Sequence, residues 1–266
     1  MSEPDAAADT PTGTGPADGY RVVVTGAAGV IGGWIADEFA RHGAALLLSD
    51  RRVEALESDL AAGRWSGSSV HIHRADLRDP ESVEELTSVV ADRFDAPDAL
   101  INNAGIYPHA PLLDVTTSDW EAIIATNLTA PFLLTQGIAR LMIARSVRGS
   151  IVNIASGAAL TVSPGGTPYS VSKAALVMLT RGCALELAPH GIRVNAVGPG
   201  FAPGSSVSPL DADYIAGMAA TIPLKRTSGP RDAPAFVVYL CSPAADFITG
   251  TFMNVDGGRT AGPVMR

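Results

Sequence analysis

The stretch Arg21-Val22-Val23-Val24-Thr25-Gly26-Ala27-Ala28-Gly29-Val30-Ile31-Gly32 decides how the chain is read. Three consecutive valines form a short β-branched run that reads as a strand. Glycines follow at once, and Gly33 to Arg41 then reads as a helix that ends at Gly43. Strand, glycine turn and helix form the setting that holds a dinucleotide's phosphates. The glycines let the backbone come close, and the helix N-terminus offers free N–H groups and the positive end of its dipole.

The alternation continues outward. Strands are expected at Ala44 to Ser49, Val70 to Arg74, Ala99 to Ile101, Ser150 to Ile154, Ile192 to Val197 and Thr251 to Val255. Helices are expected at Val53 to Ala62, Pro80 to Arg93, Ser118 to Ile143, onward from Thr167, and at Asp232 to Leu240. This pattern predicts one α/β domain built on a doubly wound parallel sheet, the Rossmann fold, with helices on both faces and ligands at the carboxyl ends of the strands. A length of 266 residues with 47% apolar content fits one large core. Residues 1–19, rich in Ala, Asp, Thr, Gly and Pro, are expected to form a disordered tail, leaving 20–266 as the folded domain.

A net charge of −8 argues against nucleic acid as a partner. The sequence reads as having no eighteen-residue apolar run, so no membrane partner is expected, and the N-terminal segment lacks the pattern of a secretory signal. Two cysteines, Cys183 and Cys241, make no disulfide framework, which points to the cytoplasm and to both as small buried hydrophobes. The five histidines are scattered, and His71 and His73 flank a strand residue without a ligand cluster, so no metal site is expected.

A second stretch, Thr167-Pro168-Tyr169-Ser170-Val171-Ser172-Lys173, carries the chemistry. Proline suits the first turn of a helix and Thr167 is a plausible cap, so Tyr169 and Lys173 fall at i and i+4 on one face. An ammonium there lowers the pKa of the phenol and makes it a proton carrier near neutral pH. The apolar run from Ala174 to Leu179 predicts a largely buried helix. Ser156, thirteen residues before Tyr169, follows the strand Ser150 to Ile154, where its hydroxyl can reach the same pocket. Upstream, Asn127 precedes Pro131 by four. Proline has no N–H for that carbonyl and pushes it away, so the helix should kink and leave the Asn127 carbonyl free to hold a water.

At the other end of the expected crevice, Asp50 closes the second strand eighteen residues after Gly32. Its carboxylate can accept hydrogen bonds from a ribose and repels a 2′-phosphate, which favours NAD over NADP. Arg51 and Arg52 could bind that phosphate instead, and by default read as a solvated helix start.

Taken together these residues resemble the short-chain dehydrogenase/reductase family, in its compact single-domain members, from about Tyr20 to about Gly258. The likeness rests on Thr25 to Gly32, Asn102-Asn103-Ala104-Gly105, Asn127, Ser156, Tyr169 with Lys173, Pro199-Gly200 and Asp256-Gly257-Gly258. The resemblance implies a catalytic set of Asn127, Ser156, Tyr169 and Lys173, and reversible hydride transfer between a nicotinamide and a secondary alcohol or ketone. It implies cofactor contacts from Gly26, Gly29, Ile31, Gly32, Asp50, Arg51, Asp76, Leu77, Asn103, Ala104, Gly105, Pro199 and Gly200, along with Tyr169 and Lys173. For Asp76 a competing reading is a cap on the turn before the helix at Pro80. Tyr107 and His109 would lie where substrate enters. The family's tetramer-forming helices resemble the apolar ones around Asn127 and Tyr169, so a homo-oligomer, tetramer or dimer, is expected.

Departures from the family pattern matter too. Val30 stands where compact members carry the middle glycine, and the spacing Gly26, Gly29, Gly32 matches the family's longer, epimerase-like members. An NAD-using epimerase or dehydratase is therefore one alternative, against which stands the lack of an added substrate domain. A non-catalytic nucleotide-binding regulator is another. Gly204 occupies the usual place of a carboxamide-binding threonine, with Ser205 and Ser206 as candidates to replace it. The segment from Phe201 to about Ile222 reads as a mobile lid that carries no Lys or Arg.

Overall fold

The computed structural model describes residue 15, residues 17–204 and residues 210–262. Seven strands form one parallel sheet: β1 (Arg21–Thr25), β2 (Ala45–Asp50), β3 (Val70–Arg74), β4 (Ala99–Asn102), β5 (Ser150–Ile154), β6 (Arg193–Pro199) and β7 (Phe252–Val255). Their order is β3-β2-β1-β4-β5-β6-β7. The helices are α1 (Val30–Arg41), α2 (Val53–Ala61), α3 (Pro80–Phe94), α4 (Thr117–Ile124), α5 (Ala130–Ala144), α6 (Thr167–Leu187), α7 (Ala212–Thr221) and α8 (Ala233–Cys241).

The three valines of β1 explain why both faces are covered. Val22 and Val24 join Ile35 and Phe39 of α1 and Val237 of α8 in one core, while Val23 points the other way into Leu86 of α3 and Leu134 of α5. Each such side chain, fully buried, contributes roughly 1.5–3 kcal/mol, so this strand commits helices to both sides. Strand order reverses between β1 and β4, and the loops that follow these two strands diverge there to open a crevice at the carboxyl edge.

Several expectations are corrected. Ala17 is fully buried in the core and the Gly19 N–H donates to Gly43 O at 3.3 Å, so residues 17–19 belong to the folded domain rather than to the tail. Residues 1–14 lie outside the described residues. The helix expected at Ser118 to Ile143 is α4, a π-helical turn over Ala125–Thr129, and α5. Because Pro131 offers no N–H to the Asn127 carbonyl, the ladder widens and Ala130 N reaches back to Ala125 O. The whole run Thr117–Ala144 is, against the sequence reading, long and apolar enough to cross a membrane by length and composition. Half of its most apolar window is buried in the domain, with Leu134, Ile138 and Met142 wholly enclosed, which is how a core helix packs.

Gly166, not Thr167, is the N-cap of α6, and Pro168 lies in the first turn. This helix is less buried than its apolar run predicts, since Val171, Met178 and Leu185 face outward. The expected lid is not all loop: Asp211 caps α7 by accepting from Tyr214 N at 2.7 Å. Residues 205–209, including Ser205 and Ser206, lie outside the described residues.

Candidate active site

The glycine turn is built by close approach of β1 to β4. Gly26 has φ +64°, and a Cβ there would stand 2.7 Å from Ala104 Cα. A Cβ on Gly32 would collide with the Gly26 carbonyl oxygen and lie 2.6 Å from Asn103 Nδ2. Gly29 differs: it is the N-cap of α1, and a Cβ on it would meet only Gly26 O, at 3.2 Å. What the turn leaves bare is therefore backbone at a helix N-terminus, a cradle fitted to a dinucleotide's phosphates. Val30 is the first residue of α1 and has no positive φ, so the β-branched residue sits in ordinary helical backbone and the altered spacing leaves the turn intact. Ile31 packs against the core beneath it.

Thr25 latches this turn to β4. Its Oγ1 donates to Ile101 O at 3.3 Å and accepts from Asn103 N at 3.0 Å and Ala104 N at 3.1 Å. Asn103 Nδ2 in turn donates to Thr25 O at 2.8 Å and Gly26 O at 3.1 Å. The Asn103 Nδ2 is thus committed to the turn.

Asp50 also faces the turn, accepting from Ala28 N at 3.1 Å and Arg52 N at 2.9 Å, while Arg52 Nη2 donates to Ala28 O at 3.0 Å. Arg51 is more than half exposed and lies 4.0 Å from Asp76. The Arg78 guanidinium, helped by its own main-chain N–H at 3.0 Å, holds the Asp76 carboxyl down to about 2. That is the turn-capping arrangement, with the Leu77 side chain turned into the core.

On the other side of the crevice, Lys173 is buried, and its Nζ donates to Ile154 O at 2.8 Å while standing 5.7 Å from the centre of the Tyr169 ring. Burial pushes Lys173 down to about 8. It pushes the Tyr169 phenol up, the nearby Ser156 hydroxyl acts the other way, and the Tyr107 phenol adds to the rise. The expected lowering of the phenol by the ammonium is therefore overturned here: Nζ faces the ring and a carbonyl, and desolvation dominates. Ser156 itself opens the turn after β5, its Oγ accepting from Ala158 N at 3.1 Å.

Asn127, fully buried in the π-turn, accepts from Ile106 N and donates to Ile106 O, both at 2.9 Å. Its Nδ2 also donates to Ser172 Oγ at 3.0 Å, and that hydroxyl donates to Tyr169 O at 2.7 Å. Gly105 sits between the two machines: a Cβ there would lie 3.4 Å from both Asn127 Oδ1 and Lys173 Nζ. Asn102 braces strands, donating to Asn153 Oδ1 at 2.9 Å, and Asn153 passes the link to Thr180 of α6 at 2.9 Å. Pro199 ends β6, and Gly200 N donates to Val255 O at 2.9 Å, bringing the turn against Asp256.

Ser156, Tyr169 and Lys173 are thus brought together, Asn127 is joined to them through Ser172 and Gly105, and Asp50 is bonded to the glycine turn. Thr25 and Ser172, which lie within the quoted stretches but carry no expected role there, do much of the joining. Their signal is slight: a hydroxyl ending an apolar strand, and a serine three residues after Tyr169.

This is the architecture of a nucleotide-binding oxidoreductase with its crevice at a sheet switch point. Residues 26–260 match the family model described as enoyl-(acyl carrier protein) reductase. A gluconate 5-dehydrogenase of Gluconobacter oxydans is 34% identical over 244 residues, covering 91% of this chain and 95% of that protein. A cis-4-hydroxycyclohexanecarboxylate dehydrogenase of Sinomonas cyclohexanicum is 38% identical over 240 residues, covering 90% and 96%. Among solved structures, a short-chain type dehydrogenase/reductase from Mycobacterium marinum superposes with TM-score 0.85 at 34% identity, over 92% of this chain and 97% of that one. A gluconate 5-dehydrogenase from Burkholderia cenocepacia, in complex with NADP and tartrate, gives 0.83 at 32% identity, over 92% and 96%. The chain belongs to the short-chain dehydrogenase/reductase family, and it is an oxidoreductase of the class acting on CH–OH or keto groups.

Proposed function

We propose that the protein interconverts a secondary alcohol and a ketone with NAD(H), using Tyr169 as the proton carrier. The observation that carries this reading is the Tyr169 phenol set beside both the Ser156 hydroxyl and the buried Lys173. A nicotinamide dinucleotide, when bound along Gly26, Gly29 and Gly105, supplies the carbon that gives or takes the hydride. Tyr169 gives its proton to the substrate oxygen in reduction and takes it back in oxidation, and Ser156 hydrogen-bonds the same oxygen as charge develops. Lys173 supplies positive charge behind the ring and, with the main-chain carbonyl of Asn127, which Pro131 has no N–H to bond, a route for the proton to water.

Asp50 supports NAD as the cofactor, because its carboxylate ends β2 and would repel a 2′-phosphate. NADP is the second reading, favoured by Arg51 and Arg52 beside it and by the NADP complex of the relative described above. Thermal melts with each nucleotide pair decide between them. Ligand at a hundred times its dissociation constant stabilises by about 2.7 kcal/mol, a shift of several degrees. A shift with the phosphorylated pair alone would overturn the NAD assignment. Activity is tested with secondary alcohols on the full chain and on Tyr169→Phe.

A homo-oligomer belongs to this reading, since Val171, Met178 and Leu185 line one outward face of α6, with Trp120 and Phe132 exposed on α4 and α5. Light scattering after size exclusion tests it; a monomer at micromolar concentration would refute it. A cytoplasmic location belongs to this reading as well, with Cys183 and Cys241 both free thiols.

A further inference from the structure

We propose that the substrate is a neutral, compact, ring-bearing ketone or alcohol, held above Tyr169 by an apolar wall that Tyr107 completes. The inference rests on the oxidoreductase reading above and adds the class of molecule. Tyr107, on the loop after β4, stands edge-on to Tyr169, with ring centres 6.1 Å apart and planes at 65°. It is nonetheless 56% exposed, so much of its ring has no protein cover. The loop that carries it is tied to the approach of α6: Ala110 N donates to Gly165 O at 3.2 Å, and His109 lies against Gly165 and Gly166. On that approach Leu160 and Val162 are 60% and 64% exposed. From the end of β6, Phe201 meets Tyr214 of α7 edge-on at 6.1 Å, and Tyr214 is half exposed.

Three segments that leave the carboxyl edge beside the candidate site therefore present uncovered apolar side chains. Flat tyrosine rings and branched aliphatic groups gain by covering C–H surface, which a saturated or aromatic ring offers. The polar side of the wall is thin. The described parts of these segments, residues 106–113, 157–166, 200–204 and 210–222, hold no Lys or Arg. Of the next cations, two are engaged elsewhere: Lys225 Nζ donates to Ala220 O at 2.9 Å, and Arg226 forks onto Asp232 at 2.6 and 2.7 Å. Asp211 and Asp213 add like charge against an anion. A sugar acid or an acidic carrier protein would bring charge with no counter-ion from these segments, and a polyol would bring hydroxyls with few partners.

The test uses a matched pair, 4-methylcyclohexanone and 4-oxocyclohexanecarboxylate, which differ by a methyl against a carboxylate. Each is titrated calorimetrically into the full-length protein loaded with oxidised NAD, where a ketone binds without reacting, and each is also assayed for reduction with NADH. The expected result is binding of the neutral ketone at least about tenfold tighter than that of the carboxylate. Tyr107→Ala should weaken the neutral ketone about tenfold and raise its KM with kcat within about threefold, while Tyr107→Phe stays within about twofold. An unchanged melting shift with NAD shows that both variants still fold. Tighter binding of the carboxylate, no binding of either ketone, or Tyr107→Ala without effect would overturn the inference and leave the dehydrogenase reading standing. Tyr107-dependent binding without turnover would overturn the substrate claim together with the dehydrogenase reading and leave only a ligand wall.

Discussion

Asn127 holds Ile106 by both of its main-chain groups, Oδ1 on the N–H and Nδ2 on the carbonyl, each at 2.9 Å. A side-chain amide that imitates a strand partner pins the loop after β4 to the π-turn. The same Nδ2 reaches Ser172 and so the main chain of Tyr169. Asn127→Ala removes these bonds and strands buried polar groups. The expected loss is about 2–4 kcal/mol in denaturant unfolding, with turnover reduced. A variant within about 0.5 kcal/mol of the parent would show the clamp to be idle.

Tyr169→Phe keeps the ring and deletes the proton. Turnover should fall by about 10²–10⁴, the usual contribution of a positioned acid or base, while the cofactor-induced melting shift persists. Burial raises the phenol above its ordinary value of 10.0, so the free protein carries it protonated through the neutral range. Ketone reduction should therefore be flat near neutrality and decline only in alkali, whereas alcohol oxidation should climb with pH. Opposite slopes would rule out Tyr169 as the titrating group.

Much of the scaffold was legible because its signals are local. Val70 to Arg74 and Ser150 to Ile154 are strands with the expected limits, bounded as they are by turn residues. α1 starts at Val30 rather than Gly33, since glycines read as loop until tertiary contact with Asn103 and Gly26 makes them helical. Pro131 announced a disturbance, but whether the ladder widens to a π-turn depends on which carbonyl Ala130 N finds. Likewise the i, i+4 spacing showed that Tyr169 and Lys173 meet. It could not show that Nζ would turn to the ring and to Ile154 O, nor that burial of the phenol would raise its pKa.

Lys173 should make stability depend on pH. Its folded value of about 8 lies below the ordinary 10.5, so between these the unfolded chain binds more protons and stability rises with pH. The cost of burying the ammonium is fully present below pH 8, roughly 3 kcal/mol from that gap, and is gone above 10.5. Lys173→Met, after losing the bond to Ile154 O, should be about 1–3 kcal/mol more stable than the parent at pH 7 and no more stable near pH 10. Equal stability at both values would contradict the buried charge. Activity should be lost in either case.

Asp50→Asn removes the charge and keeps one of two acceptances, since Ala28 N and Arg52 N bond different oxygens of the carboxylate. With the repulsion gone and Arg51 and Arg52 still in place, preference should move toward NADP by about tenfold or more in the ratio of dissociation constants. No movement would mean that Asp50 serves the glycine turn alone.

The three glycines of the turn should separate folding from binding. Gly32→Ala drives a Cβ into the Gly26 carbonyl and to within 2.6 Å of Asn103 Nδ2, both fixed by the Thr25 latch, so the variant should lose several kcal/mol of stability or fail to fold. Gly26→Ala meets Ala104 Cα at 2.7 Å and must also hold φ +64°, which costs about 1–2 kcal/mol before any clash. Gly29→Ala meets only Gly26 O at 3.2 Å in ordinary backbone, so it should melt within a few degrees of the parent. Its methyl would then occupy the space reserved for phosphate, and nucleotide affinity should fall at least about tenfold. If Gly29→Ala binds nucleotide like the parent, the phosphate lies elsewhere and the crevice has been read from the wrong end.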